Sequence, residues 1–297
     1  MADVAAEQEA TGLAGTARLE AVAGGGLTTL PRARRRRGRR WLGALLPLAL
    51  LAVWQVAVLL ELRDRNRLPA PVDVLVALQE FFLTPSSPTL TGVIPFVGAG
   101  WQHLWASLER TAVAWAAAVV VGLLLGLGLG LSRWFADVTD PLLNALRAVP
   151  LFAWLPLVII QFGLGEPAAR VLVFVGALWP VLVSTADGVA RVPRQHIETA
   201  RMLGTPRGQM WQRVYLPSAL PEIVTGLRLS LTLAWTCVIV GELAGITWGV
   251  GAMMNASRER NATDQVVVGI LVFAVVGLLA DRLLRLATRR WTRWADT

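Results

Sequence analysis

The side chains that carry out covalent and metal chemistry are scarce in this sequence. All 28 basic residues are arginines. The chain therefore lacks the lysine of a GxxxxGK(S/T) phosphate-binding loop and a lysine for a Schiff base. Its one cysteine, Cys237, and its two histidines, His103 and His196, are too few for a cluster of metal ligands. We expect no catalytic residue, no metal site and no cofactor bound by this chain.

The composition is typical of a membrane protein. Of the 297 residues, 55% are hydrophobic and 16% are charged, and the mean hydropathy is +0.56. A soluble domain has about 25% charged residues, and a membrane-spanning helix needs about 20 apolar residues. The apolar runs predict an all-α integral membrane fold with six transmembrane helices, at residues 41–60, 111–131, 141–162, 171–186, 217–246 and 265–280.

The third predicted span contains features that distort a helix. Pro150 and Pro156 interrupt it, and it also carries Arg147. Proline removes a backbone donor and clashes with the preceding turn. We expect this span to bend and to free carbonyl groups that line a cavity, although a kink that serves packing alone is an equal alternative.

The distribution of arginines predicts the orientation. With both chain ends in the cytoplasm, nineteen arginines fall inside and six outside, and an even number of spans agrees with this. Residues 1–40 are rich in Ala, Gly and then Arg, and we interpret them as a disordered cytoplasmic tail. Residues 61–103 are then an extracytoplasmic loop, and residues 288–297 form a second cytoplasmic tail.

Glycines recur at every fourth position in two of the spans. This spacing places them on one face of a helix, where they allow another helix backbone to approach closely. We predict helix–helix contacts, within the subunit or across a dimer, at Gly122, Gly126, Gly130, Gly241 and Gly245.

The long inner loop, residues 191–217, contains two short amphipathic helices by its pattern of apolar residues. The segment Gly204-Thr205-Pro206 separates them, because glycine permits a sharp turn and proline can start a helix. Helices of this kind bury their apolar side on the membrane surface or on a partner protein.

This loop resembles the signature of ABC importer permeases, in which Glu-Ala-Ala, three residues, Gly, nine residues and Ile-x-Leu-Pro follow one another. Thr199 replaces the middle alanine and Val214 replaces the isoleucine, while every spacing is kept. The resemblance covers residues 104–287, the type I transmembrane domain of such permeases. Its matching positions are Glu198, Ala200, Gly204, Val214, Leu216 and Pro217.

The resemblance implies a role for this chain within a larger machine. In that family the loop docks on an ATP-binding subunit, with Glu198 making a polar contact and Gly204 allowing the turn. Two such subunits bind ATP and Mg, an extracytoplasmic solute-binding protein delivers the substrate, and a second permease copy completes the pore. The chain is expected to be a multi-pass protein of the bacterial inner membrane and to bind no nucleic acid.

Shorter motifs resemble one branch of this family. They include Ser107-Leu-Glu-Arg-Thr111, Arg147-Ala-Val-Pro150, Phe162-Gly-Leu-Gly-Glu166 and Gly226-Leu-Arg-Leu229. That branch contains the nitrate, sulfonate, taurine and bicarbonate permeases together with thiamine-precursor importers. The resemblance implies import of a small anion, with a thiamine-precursor-like molecule as the alternative and a gradient-driven carrier as a more distant one.

Polar groups inside the membrane are candidates for the substrate path, because leaving them in lipid is costly. An anion would favour arginine and hydroxyl donors. Arg147 could instead extend to the lipid headgroups, and Glu242 could pair with Arg258 or Arg260. The candidates for the path are Arg147, Gln161, Ser184, Thr185, Thr236 and Glu242.

Overall fold

The computed structural model describes residues 42–60, 69–83 and 98–292, and in these ranges every extended regular element is a helix. The described chain divides into two units between residues 52 and 53, and residues 42–52 are the described part of the first unit. The predicted tail at residues 1–40 lies outside the described residues. The helices are α1 (Leu42–Leu59), α2 (Pro71–Leu83), α3 (Ala99–Leu131), α4 (Arg133–Ala148), α5 (Leu151–Phe162), α6 (Glu166–Ala190), α7 (Arg194–Met202), α8 (Arg207–Met210), α9 (Leu216–Leu243), α10 (Val250–Glu259) and α11 (Thr263–Thr292).

Four of the described helical segments are long and apolar enough to cross a membrane. They are α3, α6, α11 and a 36-residue segment, Gly208–Leu243, that ends with α9. The apolar stretch of α1, Leu45–Leu59, is shorter. The all-helical membrane fold is thus confirmed, whereas the number of six spans and the position of the chain ends stay predictions.

The third predicted span is two helices rather than one. α4 and α5 meet at an angle of 95°. The break lies at Val149, which is extended because a residue before proline is disfavoured in the helical region, and α5 begins directly after Pro150. The predicted bend at Pro150 is therefore confirmed, and the span predicted at residues 141–162 consists of two helices that meet at this bend.

α6 is the central helix of the second unit and lies between α3 and α9. Gly122, Gly126 and Gly130 of α3 face Val181, Thr185 and Val189 of α6 in the same order, so these two helices run parallel. Because they are parallel, α4 and α5 must return the chain to the end of the bundle at which α3 begins. α9 runs antiparallel to α6, with Gly226 against Ser184 and Gly241 against Ala169.

The glycine contacts leave no room for a side chain. A Cβ atom at Gly126 would lie 2.6 Å from the carbonyl oxygen of Leu182, and one at Gly241 would lie 2.8 Å from the Cβ atom of Ala169. Gly245 differs from the prediction, because α9 ends at Leu243 and Gly245 lies in the following turn with φ of +90°. Its backbone conformation, and not helix packing, accounts for a glycine there.

Several predicted boundaries differ from the structure. Residues 61–103, which we predicted to be a loop, contain α2 and the start of α3 at Ala99. The second predicted span, residues 111–131, is the C-terminal part of α3, which is 33 residues long. The fifth ends at residue 243 rather than 246, and residues 288–292 of the predicted tail belong to α11. The helices are longer than the apolar runs because a helix can continue into polar residues, which a hydropathy pattern does not detect.

Candidate functional site

The segment between α6 and α9 forms a helix, a tight turn and a second helix. α7 ends at Met202, and the N–H of Thr205 donates to the carbonyl of Ala200 at 3.0 Å across the turn. Gly204 has φ of +72°, a conformation that side-chain-bearing residues rarely adopt. The turn therefore depends on glycine at position 204.

The outer surface of this turn is apolar and exposed. Met202 is 86% exposed and Leu203 is 80% exposed. Glu198 lies exposed on the same short helix, and among the described residues it has no ion-pair partner. Ala200 is half-buried. These side chains form a surface that combines two apolar groups with an unpaired carboxylate, and we call Glu198, Met202 and Leu203 the docking turn.

The second half of the loop is not a separate helix. α8 passes through a π-helical turn, Trp211–Tyr215, into α9 without a break. Val214 lies in this turn, and Leu216 and Pro217 follow it at the start of α9, where Pro217 has no backbone N–H to donate to the preceding turn. The rings of Trp211 and Tyr215 stack 6.2 Å apart.

This continuous segment is anchored in the core. Trp211 and Tyr215 pack against a cluster of Val189, Ala219 and Ile223, which belong to α6 and α9. Beside them lies a cavity of about 720 Å³ whose lining includes Leu131, the last residue of α3. The segment that follows the docking turn is therefore packed against both α6 and α9.

The six candidates for the substrate path do not converge on one site. Thr185 is fully buried against Gly126, and Ser184 lies against Gly226, so both take part in helix packing. Gln161 is exposed near the end of α5. Arg147 is exposed on α4, where it donates to the side-chain oxygen of Asn144 at 3.1 Å and lines a cavity of about 440 Å³.

Thr236 belongs to a row of exposed threonines on α9. The row consists of Thr225, Thr232 and Thr236, and each hydroxyl donates to the carbonyl four residues earlier, at 2.9, 3.1 and 3.0 Å. Because the hydroxyls are satisfied within the helix, this face tolerates lipid as well as water. It is a polar stripe on an otherwise apolar membrane-spanning helix.

Glu242 is enclosed and lies in an ion-pair network. Its carboxylate pairs with Arg110 of α3, accepts from the Ser107 hydroxyl at 2.6 Å and accepts from the Gly251 N–H at 2.7 Å. Glu242 is 1% exposed and Arg110 is fully buried. The alternative that Glu242 pairs with Arg258 or Arg260 is wrong, because Arg110 on another helix occupies that place.

The same arginine makes contacts in two further places. Arg110 also binds Glu166 at the start of α6, with 2.9 Å between Nε and Oε2, and donates to the carbonyl of Trp248 at 3.0 Å. The Val250 N–H at the start of α10 donates to Ser107 at 3.0 Å. This network, which we call the Arg110 network, fastens the ends of α3, α6, α9 and α10 together.

Sequence reasoning missed the Arg110 network. Arg110 and Glu166 stood out only as members of short motifs, and nothing in the sequence pairs them with Glu242. At the other end of α9, Arg228 pairs with Asp281 of α11 at 3.2 Å. In both cases the partner is supplied by a helix that is distant in sequence.

Residues 118–293 match the family described as binding-protein-dependent transport system inner membrane component. The taurine transport system permease protein TauC of Escherichia coli is 39% identical over 82% of this chain and 86% of its own length. The putative aliphatic sulfonates transport permease protein SsuC of Bacillus subtilis is 35% identical over 94% of this chain and 99% of its own. Nitrate and bicarbonate permeases from cyanobacteria are each 32% identical.

The fold also occurs in a solved structure. An inward-facing chain of the MetNI methionine ABC transporter superposes with a TM-score of 0.52 at 25% identity, covering 62% of this chain and 93% of that one. This match agrees with the type I importer transmembrane fold predicted for residues 104–287.

Proposed function

The chain belongs to the family of binding-protein-dependent transport system inner membrane components, and on this premise we propose that it is the permease subunit of an ATP-driven importer of small anions. It is a multi-pass protein of the bacterial inner membrane and a transport subunit rather than an enzyme. The proposal adds to this the partners, the mechanism and the substrate class.

The docking turn is the observation that carries the proposal. Exposed apolar groups such as Met202 and Leu203 lose contact with water only when another surface covers them, and covering apolar surface contributes about 25 cal/mol per Å². The adjacent carboxylate of Glu198 provides a partner for a basic group. An ATP-binding subunit with an apolar groove and a basic residue fits this surface.

The route by which such a subunit would act follows from the anchoring of the loop. The docking turn projects, whereas Trp211 and Tyr215 are packed against α6 and α9. When two ATP-binding subunits close on ATP and Mg, they would draw two docking turns together and shift α9. Hydrolysis would reset the pore. The permease contributes the docking turn, the helix that moves and the substrate path, and the partner subunit hydrolyses ATP.

The pore requires a second copy of this chain. α4 has no buried residue, and large apolar side chains of α5, such as Phe152 and Ile160, are 67% and 77% exposed. A homodimer would cover part of these surfaces and bring two copies of the α9 threonine row towards one axis. An extracytoplasmic solute-binding protein would supply the substrate at the end of the bundle that holds the Arg110 network.

The substrate class is inferred from the relatives. Their names specify taurine, aliphatic sulfonates, nitrate and bicarbonate, which favours a small oxoanion over a thiamine-precursor-like molecule and over a gradient-driven carrier. Arg147 and the threonine hydroxyls, Thr236 among them, are the groups through which the path would contact an anion.

The test is coexpression and copurification of the chain with an ATP-binding subunit from the same organism, followed by measurement of ATPase activity. Stimulation by the binding protein loaded with a sulfonate, nitrate or bicarbonate supports the proposal. Glu198→Arg is expected to abolish copurification. Glu259→Arg is the matched control, since Glu259 is exposed at the end of α10 and carries the same charge. Equal copurification of both variants would count against the docking turn, and transport without any ATPase would overturn the proposal.

A further inference from the structure

α4 separates its polar and apolar residues sharply. Its polar residues recur with helical spacing and share one face, while the opposite face carries Trp134, Val138 and Leu142, which are 74%, 59% and 62% exposed. The polar stripe consists of Arg133, Asp137, Asp140, Asn144 and Arg147. A stripe of this kind is not a lipid-facing surface, so it requires water or a ligand.

Part of this stripe borders the cavity of about 440 Å³, which lies between α4, the end of α3 and the second half of α6. The volume is in the range of small-molecule sites. Its polar lining groups are Asp140, Asn144, Arg147 and Asp187, and the ring of Trp179 forms part of its apolar wall. The cavity includes neither the docking turn nor the Arg110 network.

The charges that line this cavity are not neutralised by each other. Asp187 already accepts from Arg191, 3.3 Å away. In the part of the chain that the structure describes, Asp140 has no hydrogen-bond or ion-pair partner, and Arg147 contacts only the amide of Asn144. Asp140 and Arg147 lie seven residues apart, about 10 Å along the helix axis. The cavity therefore presents one free carboxylate and one free guanidinium.

A simple anion complements only half of this arrangement. It would pair with Arg147 and be repelled by Asp140 and Asp187. A molecule with both an oxoanion and an ammonium group would satisfy both ends, since guanidinium binds oxoanions through its fork of donors and a carboxylate accepts from an ammonium group.

We propose that the cavity between α3, α4 and α6 is a binding site for a small zwitterion, with Arg147 and Asn144 holding the oxoanion and Asp140 holding the ammonium group. This inference rests on the proposed function for its choice of a free aminosulfonate as the ligand. The headgroup of phosphatidylethanolamine has the same chemistry, an ammonium group two carbons from an oxoanion. The proposal commits to the soluble molecule, and the experiment separates the two sources.

The test compares taurine with ethanesulfonate, which has the same oxoanion and no ammonium group. Equilibrium binding of radiolabelled taurine is measured on the permease–ATPase complex in dodecyl maltoside, without binding protein or ATP. Taurine is expected to bind, and ethanesulfonate to compete at least about tenfold more weakly. Asp140→Asn should weaken taurine binding about tenfold and should strengthen ethanesulfonate binding, because it removes a charge that repels the anion, while Arg147→Gln should weaken both.

Two variants on the same stripe serve as controls. Asp137→Asn and Arg133→Gln make the same charge changes at exposed positions outside the cavity lining and should leave binding unchanged. Equal affinity for taurine and ethanesulfonate, or an equal loss in Asp137→Asn and Asp140→Asn, would overturn the proposal. Displacement of taurine by phosphatidylethanolamine but not by phosphatidylglycerol would reassign the site to a lipid headgroup and overturn the soluble ligand.

ATP-driven uptake with the binding protein is measured in parallel on the same variants. Intact uptake of a sulfonate with no taurine binding in this cavity rejects the site alone. Absence of ATP-driven uptake of taurine, alkanesulfonate, nitrate and bicarbonate rejects the proposed function, whatever the cavity binds.

Discussion

Arg110 of α3 and Glu242 of α9 form an ion pair that is closed off from solvent, although 132 positions separate them in the chain. Glu166 and the carbonyl of Trp248 complete the coordination of the guanidinium. A buried charge is tolerated when it is paired and hydrogen-bonded, so the two residues depend on each other. Their contact fixes where α9 ends relative to α3 and α6.

Removing one member of this pair should destabilise the protein. Arg110→Gln leaves the Glu242 carboxylate buried without its cation and is expected to lower the free energy of unfolding by about 3–5 kcal/mol. The measurement is the apparent melting temperature of the purified protein in detergent. Arg191→Gln is the control, because its pair with Asp187 is 70% and 52% exposed and contributes about 0–1 kcal/mol. The double variant Arg110→Leu, Glu242→Leu should recover part of the loss; equal melting temperatures for Arg110→Gln and the wild type would refute this account.

A side chain at the α3–α6 contact should separate the helices. Gly126→Ala places a Cβ atom 2.7 Å from the Cβ of Thr185 and 2.6 Å from a backbone oxygen of α6, and overpacking of this kind costs about 1–3 kcal/mol. We expect a lower melting temperature and a smaller monodisperse fraction in size-exclusion chromatography. Gly208→Ala meets open space among the described residues and should leave both unchanged. Similar behaviour of the two variants would show that the close approach is not limiting.

The turn after α7 should be sensitive to backbone conformation and not to side-chain volume. Gly204 has φ of +72°, with open space around it in the described part of the chain. Asparagine tolerates this region whereas a β-branched residue does not. Gly204→Asn should therefore keep most of the binding-protein-stimulated ATPase activity, and Gly204→Val should lose about tenfold or more, since strain of 1–3 kcal/mol would displace the docking turn. Loss of activity in both variants would indicate a requirement for an unsubstituted surface instead.

The threonine row of α9 should be accessible to water if it lines the path. Thr236→Cys and Thr232→Cys are expected to react with a charged, membrane-impermeant thiol reagent in the dimeric transporter. Leu124→Cys is the control, as Leu124 is 67% exposed on an apolar stretch of α3 and should face lipid. The native Cys237 is 1% exposed and should not interfere. Labelling of Leu124→Cys but not of the α9 variants would place the path elsewhere.

The segment between α6 and α9, which contains the docking turn, is the part of the structure that the sequence predicted most completely. Its apolar spacing and the Gly204-Thr205-Pro206 break are local features, and the structure has a turn at that place. The continuity of the following helix with α9 was not foreseen. The π-helical turn Trp211–Tyr215 lets the helix continue to Pro217, which has no backbone N–H.

The candidate path shows the limit of reasoning from polarity alone. Arg147, Thr185 and Glu242 are all polar groups in apolar surroundings, and the sequence gives no means of ranking them. The structure places Arg147 on a cavity, Thr185 against a glycine and Glu242 on an arginine. Each outcome depends on which helix lies opposite.

The amino-acid sequence by itself determined that this is an all-helical membrane protein and where the turn at Gly204 lies, because hydropathy, glycine and proline act within one or two helical turns. The tertiary structure decided that α3 and α6 are parallel, that α4 and α5 break at 95°, and that Arg110 meets Glu242. Those relationships arise between segments that are distant in the chain, where the packing of helix faces, and no local preference, selects the partner.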